Sequence, residues 1–80
     1  MIQITTRRYT HFLFIQLEDI RYIKTHGDFF SVGFIDDSYE EFPIGAGAHK
    51  VVGKVYQALL GNTPQHIKVD KLGRVRMETM

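Results

Sequence analysis

Cysteine is absent from this chain of 80 residues, which excludes disulfide frameworks, thiolate nucleophiles and thiolate zinc sites together. The absence suits a reducing compartment, and a cytoplasmic location is the expectation. Long apolar runs are missing as well, since no segment approaches the roughly 18 consecutive apolar residues of a membrane span. The stretch Met1–Arg8 sets its basic pair, Arg7 and Arg8, after the apolar residues and lacks the h-region of a signal peptide. No internal repeat, linker or low-complexity tract interrupts the chain.

Patterns that carry catalysis or metal binding are equally scarce. His11, His26, His49 and His66 include no pair at the i, i+4 spacing of a local zinc motif. The acid pairs Glu18-Asp19 and Glu40-Glu41 fall on extended or turn segments, which send adjacent side chains to opposite faces rather than into one acid/base constellation. Ser31 and Ser38 lack a neighbouring His and Asp in a nucleophile setting. Gly45-Ala46-Gly47 ahead of a helix could offer backbone N–H groups to a phosphate. It lacks the lysine-hydroxyl ending of a P-loop, so a flexible lead into the helix is the reading. No enzyme activity, cofactor or metal is expected.

What is present is an ordinary globular composition, 44% apolar and 24% charged, in a length that suits one core and not two. One domain over residues 1–80 follows. A core of this size supplies about 3–5 kcal/mol of net stability, so a homodimer is a reasonable expectation.

The net charge of +1 hides an uneven distribution. Residues 1–25 carry Arg7, Arg8, Arg21 and Lys24 against Glu18 and Asp19. Residues 26–48 carry Asp28, Asp36, Asp37, Glu40 and Glu41 with no Lys or Arg. Residues 49–80 carry Lys50, Lys54, Lys68, Lys71, Arg74 and Arg76 against Asp70 and Glu78. Folding could place these blocks on separate faces and steer an anionic partner, or leave a mixed solvated surface.

Alternation of apolar and polar residues marks strands at Ile2–Thr5 and Phe12–Leu17, joined through Arg7–His11, and again at Ile20–Lys24. The turn chemistry of His26-Gly27-Asp28 leads into the aromatic run Phe29–Ile35, in which Phe29, Phe30 and Phe34 are core residues before they are a base-stacking platform. After Asp36-Asp37-Ser38, Tyr39–Phe42 is short, acidic and closed by Pro43, as an edge strand is. Ala48, Val51, Val52, Val55, Tyr56 and Leu59 then fall on one face of a helix that Gly61-Asn62 and Pro64 terminate. His66–Asp70 and Arg74–Glu78 alternate on both sides of Lys71-Leu72-Gly73 as a last hairpin. The expected class is α+β, mainly β: a small antiparallel sheet domain with one amphipathic helix, in the order β-β-β-β-β-α-β-β.

The segment Phe12–Lys24 followed by His26-Gly27-Asp28-Phe29-Phe30-Ser31-Val32 resembles the opening of LytTR-type DNA-binding domains. The likeness continues through Asp36–Phe42 and, more loosely, into the helix over 48–60, covering about three quarters of the chain. It implies a mostly β fold that reads duplex DNA with loops and strand ends rather than a recognition helix, as the output domain of a bacterial transcription regulator. The first contact region of that family falls on Thr25, His26, Gly27 and Asp28. The second falls on His66–Leu72 and Arg76, where Asp70 replaces a histidine, Leu72 a serine and Arg76 an asparagine. With the basic residues of the last hairpin, which could follow a phosphate backbone, the expected DNA contacts are His26, Asp28, Lys68, Lys71, Arg74 and Arg76. The alternative class is a protein-interaction module without a nucleic-acid role.

Overall fold

A computed structural model describes residues 1–80, with seven strands and one α-helix: β1 (Ile2–Thr5), β2 (Thr10–Leu13), β3 (Ile20–His26), β4 (Phe29–Phe34), β5 (Tyr39–Pro43), α1 (Ala48–Gly61), β6 (Gln65–Val69) and β7 (Val75–Thr79). The class is α+β and mainly β. The strands divide into two sheets, β2-β1-β6-β7 and β3-β4-β5. One pairing departs from the expected antiparallel sheet: β1 and β6 run parallel, Ile4 opposite Ile67. Local alternation cannot reveal such a partner, because more than half the chain separates the two strands.

The first hairpin turns sooner than the alternation suggests. Thr6 donates its N–H to the Tyr9 carbonyl at 2.8 Å, and its Oγ1 accepts from the N–H groups of Arg8 and Tyr9 at 3.2 and 3.0 Å. This turn returns the chain to the sheet at Thr10, and β2 ends at Leu13, so Phe14–Leu17 lie outside the strand. The later hairpins fall where the sequence places them, and β5 is an edge of its sheet.

One core joins the sheets and the helix. Ile2, Ile4, Leu13, Ile67 and Val69 come from the first sheet, Phe30 and Val32 from the second, and Ala48, Val51, Val55 and Ala58 from α1. The inward face of the helix is thus centred on Val51 and Val55, while Val52 and Leu59 are half-buried and Tyr56 is exposed. Each large aliphatic side chain hidden in this way contributes about 1.5–3 kcal/mol of transfer free energy. Asn62, in the left-handed region at φ 50°, ends the helix by returning its N–H to the Leu59 carbonyl. Of the three aromatic residues of β4, Phe30 is fully buried and stacks on Phe42 at 5.8 Å, Phe34 is half-buried and Phe29 is exposed. No helix is long and apolar enough to cross a membrane.

Candidate nucleic-acid interface

Strand directions bring four connections to one end of the molecule. β1 and β6 run parallel toward it, so the turn at residues 6–9 and the turn at residues 70–74 lie side by side. The β3–β4 turn at Gly27-Asp28 arrives from the second sheet, and residues 44–47 lead from β5 into α1 at the same place. Gly27 takes φ +60°, which explains a glycine at that corner. The Asp28 carbonyl accepts the N–H groups of Ile44 and Gly45 at 3.0 and 2.9 Å, tying the turn to the loop ahead of the helix. Those N–H groups are therefore occupied, and Gly45 serves this join rather than a phosphate cradle.

Between these connections lies an open cleft of about 430 Å³, lined by Arg7, Arg8, Tyr9, Asp28, Phe29 and Lys71 among others. Arg7, Arg8 and Lys71 make no ion pair with any carboxylate of the chain. The end as a whole carries Arg7, Arg8, Lys71 and Arg74 against Asp28 and Asp70. The opposite end carries Glu18, Asp19, Asp36 and Asp37 against Arg21, which pairs with Asp37. The molecule thus has a basic end and an acidic end that cut across the charge blocks of the sequence, with Glu18 and Asp19 of the first block at the acidic end and Asp28 of the second at the basic one.

The six expected contact residues do not gather at one place. Asp28 and Lys71 line the cleft, and His26 is exposed on the last position of β3 without lining it. Arg74 donates from Nε to Asp70 at 2.9 Å. On the outer face of β6 and β7, Glu78 lies 3.1 Å from the Lys68 ammonium and 3.2 Å from Arg76 Nε. Three of the four hairpin bases are therefore already paired, and exposed pairs of this kind lower the charge available to a phosphate.

Asp70 has a structural occupation. Its Oδ1 accepts from the N–H groups of Leu72 and Arg74, both at 2.9 Å. The Arg74 N–H first, and the Arg74 side chain and Leu72 N–H after it, hold the carboxyl below the usual carboxylate range. Glu78 is likewise held low, chiefly by Lys68. The Asp70 carboxylate thus shapes the turn that presents Lys71.

Arg7 and Arg8 are the cleft-lining residues that local reading passes over, since a basic pair between two strands looks like an ordinary connection. Only the parallel pairing of β1 with β6 puts that pair beside Lys71. No three His, Asp or Glu side chains are grouped so that they could hold a metal ion. No family model, curated protein or solved structure matches the chain.

Proposed function

We propose that this domain binds duplex DNA with its basic end, as the DNA-binding part of a transcription regulator in a bacterial cytoplasm. The observation that carries the reading is the meeting of Arg7, Arg8 and Lys71, all without ion pairs, around one cleft built from turns. The resemblance to LytTR domains supports it independently, because that family reads DNA with loops and strand ends. Arg7 and Arg8 present planar forks suited to phosphate oxygens or to guanine edges, and Lys71 supplies a compact point charge for a phosphate. Asp28, which lines the same cleft, is a group that can accept from the N4 amino group of cytosine. Tight backbone ties at Thr6, Asp28 and Asp70 hold these groups on a rigid frame, which keeps the ordering cost of binding low. The acidic end faces away and orients the approach.

The test is fluorescence anisotropy with a selected and a scrambled duplex over a range of salt concentrations. Three phosphate contacts give a slope of log affinity against log salt of about −3. Absence of affinity for any duplex at low salt overturns the reading. A protein-interaction module is the second reading, drawn from the exposed apolar side chains Phe12, Phe14, Ile35 and Tyr39. A domain of that kind gives no anisotropy change with DNA and associates with protein at high salt as well.

A further inference from the structure

The acidic end holds a further concavity, an open groove of about 530 Å³ between the exit of β2 and the β4–β5 turn. Its apolar lining includes Phe12, Phe14 and Ile35, which are 54%, 78% and 64% exposed. Asp19, Asp36 and Glu40 line it as well, and no Lys or Arg does. Exposed aromatic side chains grouped in this way mark an interaction surface more often than a bare surface.

Charge narrows the occupant. Nucleic acid is repelled by three carboxylates. A second copy packed groove on groove about a two-fold axis sets the same acids against each other, an arrangement that disfavours association. The fitting occupant is an apolar side chain on a basic segment. The chain carries one itself: Leu72, 67% exposed at the tip of the β6–β7 turn, stands next to Lys71, which has no ion pair. Asp70 and its three hydrogen bonds hold that tip in shape.

We propose that the acid-rimmed groove of one copy takes the Lys71-Leu72 tip of a second copy, so that domains associate head to tail. Groove and tip lie at opposite ends of the strands, so each bound copy leaves one free groove and one free tip. The contact is heterologous and adds copies without closing on a dimer. It does not depend on DNA binding, although both would use Lys71.

Sedimentation velocity on the full chain, without DNA, tests the proposal over an about hundredfold dilution series at low and high salt. The expected result is an average mass that climbs with concentration at low salt and falls when salt is added. Phe14→Ser, or Glu40→Lys as a second groove variant, stays at the monomer mass of 9.3 kDa, and so does the tip variant Lys71→Glu with Leu72→Ser. Both sites are exposed, and unchanged thermal melts show that these variants fold. Mixing a groove variant with the tip variant restores one intact groove and one intact tip, and therefore yields a complex of two chains and nothing larger. A parent protein that is monomeric throughout, a mixture that remains monomeric, or a dimer that survives either variant overturns the proposal.

Discussion

A methyl group placed on Gly47 would stand 2.6 Å from the carbonyl oxygen of Gly73. The backbone ahead of α1 and the backbone of the β6–β7 turn are in contact, and Val75 and Val69 close the same space at 3.0 and 3.2 Å. Gly47 is thus a packing glycine that locks the Lys71 turn against the helix start. Gly47→Ala must push one backbone away from the other, at a cost of about 1–3 kcal/mol. Gly53, in the middle of the helix, has nothing within 4 Å of a new Cβ, so Gly53→Ala should stabilise by about 1 kcal/mol. Urea melts of the two variants check the contrast. Equal midpoints would remove the Gly47–Gly73 contact from the account.

The buried helix face gives a second expectation. Val55 is fully buried, and Val55→Asp places a carboxylate among Val51, Ile67 and the sheet with no partner for it. Desolvating an unpaired charge costs more than the about 3–5 kcal/mol that a core of this size supplies, so the variant should be unfolded at room temperature. Tyr56, one position on, is half-exposed, and Tyr56→Asp should remain folded. Circular dichroism separates them, and a cooperative melt for Val55→Asp would contradict this packing.

Much of this was legible in the sequence. The helix, its stop at Asn62 and the later hairpins follow from periodicity and turn residues, because each depends on neighbours within a few positions. The start of β2 was misplaced because the Thr6 hydroxyl makes a turn whose tightness depends on a side chain that alternation ignores. The parallel pairing of β1 with β6 and the joining of Arg7-Arg8 to Lys71 rest on contacts between residues about sixty positions apart. The pairing of Lys68 with Glu78 was hidden for a similar reason: it needs the cross-strand register that sets Lys68 opposite Arg76, two positions from Glu78. The strand glycine at position 33 likewise explains itself only in three dimensions, where the Tyr22 ring lies over it and leaves no room for a side chain.

Stability should fall in two stages as pH is lowered. His11 stands at the contact between the sheets, its ring 4.9 Å from that of Phe42, with Nε2 buried and without a hydrogen-bond partner. Burial lowers its pKa from 6.5. The unfolded chain therefore takes up a proton that the folded one refuses, so this contribution is complete above pH 6.5 and is lost as pH falls from there toward the lower folded value. Asp36, Asp70 and Glu78 are held low by Ser38, Arg74 and Lys68 respectively. Their contributions are present above the ordinary carboxylate range and are lost below it. Thermal midpoints from pH 8 to pH 3 check this, with His11→Phe expected to remove the first decline and leave the second. A first decline unchanged in His11→Phe would assign it to another group.

The DNA reading makes its sharpest expectation through the ion pairs. Each base that faces a phosphate releases condensed counterions and adds close to one unit to the slope of log affinity against log salt. Arg7, Arg8 and Lys71 have no carboxylate partner, whereas Lys68 and Arg76 share Glu78 and Arg74 is held by Asp70. Replacing Arg7 and Lys71 together by alanine should therefore flatten the slope by about two units and weaken binding to every duplex alike. Replacing Lys68 and Arg76 together should change the slope by much less than two units, since each would have to leave a carboxylate to reach DNA. His26 and Asp28 should behave in a third way. Asp28 lines the cleft and His26 stands exposed at the adjoining strand end, so Asp28→Ala and His26→Ala should alter the ratio of affinities for selected and scrambled duplexes while leaving the slope nearly intact. Anisotropy titrations of all these variants against both duplexes at several salt concentrations give the three responses in one series. If the Lys68 and Arg76 pair proves to matter as much as Arg7 and Lys71, the outer face of β6 and β7 is the DNA surface and the cleft is not.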